Sequence, residues 1–255
     1  MAERARAAAR PAGYRRLPVP GGLWWLEVQA SLRRRRALAI KLVFPLVLAV
    51  PLALTGAPQF FAAMLLTVLI AMVGTVGTGV SLTRARGSGW LDRLAVLPLG
   101  GWRVGLELFL AGWLVDCLQA TLLMAVLGAA QRPDLPTLLS TWLLCLATLA
   151  FSGALGLAVA TLTDNPGEAM LVLAVVLAPM LFLSGLFTGV PASGPRYWIA
   201  QVLPFSYLQN AFQLVLHGNP PYGSDPQFLL AAAVFLVVGG LAAAALGRPL
   251  LQRGA

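Results

Sequence analysis

The side chains able to do chemistry in this 255-residue chain are few and widely spaced. Lys41 is the single lysine and no Gly-x-x-x-x-Gly-Lys-Ser/Thr loop occurs, so no P-loop lysine is available to hold a nucleotide phosphate. His217 has no Cys or His at ligand spacing, which argues against zinc. A Gly-x-Ser-x-Gly nucleophile elbow is missing as well. Cys117 and Cys145 both lie inside apolar runs and read as small buried residues, not as a disulfide or a metal site. The remaining candidates are ionisable residues embedded in apolar sequence: Lys41, Glu107 and Asp116, with Gln119 beside the last. Glu107 and Asp116 are nine residues apart, which places them about 180° apart on an α-helix and prevents one carboxylate pair. Asp116 and Gln119 share a face and could line a substrate path or a polar subunit contact. Asp116 could equally be a protonated or hydrogen-bonded structural group. Lys41 and Glu107 sit at similar depth from the ends of their runs, and a pairing between them is one arrangement those depths allow.

The elements that carry these residues follow from composition. Hydrophobic residues make up 59% of the chain and charged residues only 11%, against about 25% charged in a soluble domain. Apolar runs near the roughly 20 residues needed to cross a bilayer recur along the sequence. An all-α integral membrane protein with six transmembrane helices is therefore expected, over Ala37–Thr55, Gln59–Leu82, Trp102–Ala130, Leu135–Thr163, Ala169–Val190 and Gln227–Gly247. The formal charge of +9 does not imply nucleic acid, because no aromatic and basic interleaving accompanies it. Its arginines instead sort by side. With both termini in the cytoplasm, Arg132 and Arg196 are the only basic residues left outside, as the positive-inside rule requires. No secretory signal is expected, since the first apolar run follows a long basic tail. Asp116 would lie about 21 Å along its helix from Trp102, near the bilayer centre. A charge there costs about 2.5–3.5 kcal/mol, so it should face protein or a water-filled cavity.

Three pieces do not span. A basic tail over residues 1–20 precedes an interfacial helix over 21–36, where Trp24 and Trp25 are followed by Arg33, Arg34, Arg35 and Arg36. Tryptophans and arginines in that order suit a helix lying at the inner membrane surface; the arginines alone would also set the topology. Between the second and third spans, Gly87, Ser88 and Gly89 break the helix. Trp90, Leu91, Leu94 and Leu97 then recur at helical spacing up to Pro98. A short amphipathic helix in that place lies on lipid or docks in a partner's groove. Outside, prolines divide residues 191–217 into two short apolar helices, near Tyr197–Val202 and Ser206–His217, that read as interfacial or re-entrant pieces. Residues 248–255 form a cytoplasmic tail. The six-span unit thus covers 37–247. Small residues in the second span, Gly74, Thr75, Gly77, Thr78, Gly79 and Ser81, read first as helix packing and alternatively as a substrate-lining ridge.

The stretch RARGSGWLDRLAVLPL resembles the cytoplasmic loop of the membrane subunits of ABC-2-type ATP-binding-cassette exporters. That loop reads Glu-Arg-Glu-x-Gly-Thr-Leu-Glu-x-Leu followed by Pro. Arg86, Gly89, Leu91, Asp92, Leu94 and Pro98 fall in register with it, whereas Ala85 and Gly87 stand where the family has Glu, and Trp90 replaces its Thr. FLSGLFTGVPASGPRYWIAQVLPFSYLQNAF is similar to the family's outer segment through Ser184, Gly185, Pro191, Trp198, Pro204 and Tyr207, with Leu203 in place of Asn. FSGALGLAVATLTDNPGEAM fits its Gly-rich fourth span and polar inner turn, while Glu107 falls near a position where many relatives carry Lys.

The resemblance implies a permease subunit without its own nucleotide site. Such a subunit pairs with a second permease as a homo- or heterodimer in the inner membrane and binds two ATPase subunits, which hold ATP and magnesium. The helix over 89–98 would be the coupling helix, with Trp90, Leu91 and Leu94 filling an ATPase groove and Asp92 and Arg93 at its rim. Ser184, Gly185, Pro204 and Tyr207 would form the outer gate. The scattered aromatics (Phe60, Phe61, Phe109, Phe151, Phe182, Phe187) do not suggest a sugar-stacking channel, which points to a drug or lipid-like substrate. The alternative from another class is a membrane-embedded lipid-modifying enzyme using Glu107 or Asp116; a purely structural assembly protein is a third reading.

Overall fold

The structure is a computed structural model that describes residues 22–33, 35–55, 58–95, 100–218 and 225–252. Regular structure among these residues is entirely helical. In chain order the helices are α1 (Leu23–Arg33), α2 (Arg35–Leu54), α3 (Gln59–Gly87), α4 (Trp90–Ala95), α5 (Gly101–Gln131), α6 (Leu135–Leu162), α7 (Pro166–Leu183), α8 (Pro195–Val202), α9 (Pro204–His217) and α10 (Asp225–Gln252).

Among the described residues, five helices are long and apolar enough to cross a membrane: α3, α5, α6, α7 and α10. The expected first span is α2, whose apolar part runs only over Leu38–Leu52. Its 20 residues begin with Arg35 and Arg36 and include Lys41, Pro45 and Pro51, which shortens the apolar stretch. The expected fifth span also ends early, at Leu183 instead of Val190. Ser184 caps α7, its Oγ donating to the Leu181 carbonyl at 2.7 Å. Gly185 then turns the chain at φ +88°, where Val190 packs so close that a side chain would collide with it.

Local chemistry sets the other boundaries. Asp134 caps α6, accepting a hydrogen bond from the Thr137 N–H at 3.2 Å, and Pro136 sits in the first turn. The contact with Thr137 holds the Asp134 carboxyl below the usual carboxylate range. Asn165 caps α7 through the Glu168 N–H at 2.9 Å, and the Glu168 carboxylate accepts from the Asp164 N–H at 3.1 Å. The break before α4 falls at Ser88 and Gly89, with Gly89 at φ +68°, while Gly87 still belongs to α3.

α6 is the most enclosed of the long helices and packs against α3, α5, α9 and α10. Small residues bring these helices together. A side chain on Gly156 of α6 would overlap the Thr75 carbonyl of α3, and one on Gly74 would meet Ser152. Gly105 and Gly247 make the same close approach between α5 and α10. One core cluster, around Leu123, Leu144, Phe212 and Phe228, fills the end of the bundle next to α9. A second, around Leu91, Leu108, Leu157 and Leu250, fills the opposite end, where α1, α4 and most of the described basic residues lie.

α8 and α9 differ in a way their sequences did not announce. α8 is largely exposed through Trp198, Ile199 and Val202. α9 is driven into the bundle against α3 and α6, with Phe205, Leu208, Ala211 and Phe212 fully buried. An edge-to-face contact of Phe205 with Phe151 of α6, centroids 6.2 Å apart, anchors its start.

Candidate functional site

Lys41 of α2 reaches Asp116 of α5, its ammonium donating to the carboxylate, and Gln119 one turn on donates its amide N–H to the Lys41 carbonyl. Asp116 faces protein, and Asp116 and Gln119 share one buried face. The possible partnership of Lys41 with Glu107 is not formed. Glu107 pairs instead with Arg103 one turn earlier on α5, at 2.7 Å, with Arg103 exposed and the Glu107 side chain only 12% exposed. The reason lies in α1. This helix packs alongside the first turns of α5, with Gly22 next to Glu107, so α2 begins opposite the middle of α5. Counting residues from the ends of two spans assumes that both start at the same depth, and here they do not. The two carboxylates thus serve separate ion pairs.

Two cavities adjoin the buried pair. One, of about 820 Å³, is a groove between α2 and α3 that opens outward past the exposed side chains of Ile40, Phe44, Val47, Leu48 and Met72. Its walls include Phe44, Val47, Leu48, Leu66, Leu69 and Met72, and its polar side chains are Lys41 and Gln119. The other, of about 450 Å³, opens toward the end of the bundle that carries α1 and α4. It is lined by Glu27, Ser31, Ser81, Arg84, Trp90 and Asp116 among others. Lys41, Val76 and Gly77 belong to both walls. The small residues of α3 therefore divide their work: Gly74 and Gly79 pack on α6, whereas Gly77, Thr78 and Ser81 border cavities.

At the basic end, α4 turns its apolar side inward. Leu91 and Leu94 are buried against Leu82, Val104, Leu108 and Leu250, and Trp90 is half-buried. For Leu91 and Leu94 this corrects the expectation that they are offered with Trp90 to a partner's groove, since a six-residue helix needs that burial to be held at all. The exposed side chains of α4 are Asp92 and Arg93. Arg86 also faces the chain's own core. Its guanidinium donates to the Thr163 carbonyl at 2.8 Å and to the Leu250 carbonyl at 3.3 Å. It thereby ties the end of α3 to the α6–α7 turn and to α10. The sequence reading placed Arg86 in a docking motif and missed this link, because the accepting groups are backbone carbonyls that no motif displays. Pro98 and Arg34 lie outside the described residues. On α1, Trp25 and Arg33 are exposed and Trp24 is half-buried in an edge-to-face pair with Trp25; Arg35 and Arg36 at the start of α2 are exposed too.

At the other end, Ser184 and Pro204 are buried, and Tyr207 is half-buried with its hydroxyl 3.0 Å from the Gln201 side-chain oxygen. Burial pushes the Tyr207 hydroxyl above its ordinary range. Ser206 holds α8 to α9 through its hydroxyl on the Ala200 carbonyl. None of these four outer residues lines either cavity beside Lys41.

A family model described as ABC-2 type transporter matches residues 21–217. The chain belongs to this family. The ABC-2 match runs from α1 through α9, so it includes the Lys41–Asp116 pair, α4 and the outer helices. Two curated relatives, each named "Probable multidrug ABC transporter permease YbhR", come from Escherichia coli strain K12 and from Escherichia coli O157:H7. Each is 31% identical over 137 residues, which cover 51% of this chain and 36% of the relative. The alignment thus spans about a third of the length of those proteins.

Proposed function

We propose that the chain is the membrane permease subunit of an ATP-driven exporter, moving a hydrophobic or amphipathic molecule out of the cytoplasm or the inner leaflet. The observation that carries this reading is the cavity of about 820 Å³ between α2 and α3, in a chain of the ABC-2 family. Its volume falls in the range of roughly 300–1,000 Å³ usual for small-molecule sites. A nearly all-apolar wall favours a greasy substrate over a sugar or a bare ion. ATP and magnesium would be held by a separate ATPase, two copies per complex, with a second permease subunit completing the membrane pore. The arginine distribution supports cytoplasmic termini, and the membrane would be the inner one. The ATPase would meet the basic end, through exposed Arg33, Arg35 and Arg36 and through Asp92 and Arg93 of α4.

Because Leu91 and Leu94 support the fold, the informative variant is the charge exchange Asp92→Lys with Arg93→Glu. Co-expressed with its ATPase, this variant should stay folded, lose most of the co-purifying ATPase and lose substrate-stimulated ATP hydrolysis in vesicles. Unchanged co-purification and hydrolysis would remove α4 from the interface. ATP hydrolysis by the purified chain alone would overturn the permease reading.

A further inference from the structure

The apolar groove and the polar cavity share Lys41, Val76 and Gly77, and the Lys41–Asp116 pair, buried on its Asp116 side, stands where they meet. Together they have the form of an amphiphile site: an apolar groove open along α2 and α3, a smaller polar cavity, and a charge pair between. We propose that this site takes a cationic amphiphile, whose protonated amine replaces the Lys41 ammonium against Asp116 while its alkyl chain fills the cavity between α2 and α3.

The sign of the head group follows from how unequally the pair is buried. The Asp116 side chain is 3% exposed, whereas that of Lys41 is 36% exposed. An anionic ligand would have to draw Lys41 away and leave Asp116 as an unpaired buried carboxylate, the costly outcome for a buried pair. A cationic ligand leaves Asp116 paired. It displaces only Lys41, whose flexible stem can carry its ammonium toward the polar cavity. Gln119 supplies a second, independent indication. Its amide N–H is used on the Lys41 carbonyl, while its side-chain oxygen is buried with no hydrogen-bond partner. Gln119 lines the apolar cavity and is 4% exposed. An unpartnered buried acceptor calls for a donor, which an alkylammonium N–H supplies and a carboxylate or sulfate does not. The other charged groups facing the polar cavity are Glu27 and Arg84, one of each sign, so they do not reverse this preference.

The inference rests on the exporter reading for its place in transport, but binding can be measured without the ATPase. The test uses the full chain in lipid nanodiscs at pH 7 and three probes with the same chain length, dodecylamine, dodecanol and dodecanoate, with binding to empty discs subtracted. Dodecylamine should bind at least tenfold more tightly than the other two. Asp116→Asn should abolish the difference. Gln119→Leu should weaken amine binding severalfold and leave dodecanoate, which offers no donor, unchanged. Lys41→Met, which removes the internal competitor, should tighten amine binding at least tenfold and lower the melting temperature in a way that dodecylamine restores and dodecanol does not. Equal binding of the three probes by the unaltered protein, or a preference for dodecanoate, overturns the proposal even if a variant fails to fold. An amine preference without ATPase-driven transport would refute the exporter reading and leave the site standing. Transport without any head-group preference would do the reverse.

Discussion

Lys41 and Asp116 show why the energy of an ion pair cannot be shared equally between its partners. Removing the exposed partner strands the buried one. Lys41→Met is therefore expected to cost about 3–5 kcal/mol, whereas Asp116→Asn leaves a lysine whose flexible stem can carry its ammonium to the polar cavity and should cost less than about 2 kcal/mol. Glu107→Gln weakens only the contact with the exposed Arg103, spaced i,i+4 on α5, and should change stability by about 1 kcal/mol or less. Thermal unfolding of the three variants in nanodiscs checks this order, and the reverse order for Lys41 and Asp116 would contradict the burial asymmetry. Arg86 belongs to the same scale. Arg86→Met deletes charged donors to the Thr163 and Leu250 carbonyls and should cost about 2 kcal/mol, read as a lower melting temperature before any partner is added. That Asp116 must face protein or a polar cavity was legible from an acid placed deep in an apolar run. Its partner was not, because pairing depends on the offset between two helices.

Helices in a membrane gain little from burying apolar surface against one another, since lipid is equally apolar; close packing and hydrogen bonds hold them. The seam between α3 and α6 depends on Gly156, where a methyl group would overlap the Thr75 carbonyl. Gly156→Ala should force the two helices apart and lower the yield of monodisperse protein severalfold. Gly240→Ala, on α10 with nothing within 4 Å of the added carbon, should leave yield and melting temperature unchanged in the same size-exclusion assay. α4 illustrates what an amphipathic pattern leaves open. Trp90, Leu91 and Leu94 announce a helix with one apolar side, but the pattern is identical whether that side is covered by a partner or by the chain itself. Here Leu82, Val104, Leu108 and Leu250 cover it.

For the whole molecule, α1, α4 and Arg84, Arg86, Arg93, Arg103 and Arg248 gather at one end, while Arg132 and Arg196 lie toward the other. The positive-inside rule then predicts that the first of these ends faces the cytoplasm. Single-cysteine labelling in intact cells tests it, using chains in which Cys117 and Cys145 are replaced by Ala. With Ser193→Cys, before α8, a membrane-impermeant maleimide should react from outside. With Ser88→Cys, before α4, it should react only after the cells are opened. Both residues are exposed, so a failure to react reports sidedness and not burial. Labelling in the opposite pattern would invert the topology and place Asp92 and Arg93 out of reach of any cytoplasmic ATPase.

Composition and periodicity alone established that the chain is helical and membrane-embedded, because a bilayer demands long apolar runs whose backbone groups are satisfied within each helix. The positions of the long helices, the break before α4 and the two short helices after α7 were legible for the same reason: each is a local property of residue type. Tertiary structure decided everything that depends on how helices lie side by side. It placed Lys41 on Asp116 instead of Glu107, sent α9 into the bundle while α8 stayed outside, folded α4 onto its own core, and opened a cavity between α2 and α3 beside an unpartnered Gln119 oxygen. Offsets and crossings of that kind are fixed by close contacts between residues far apart in sequence, and no local pattern records them.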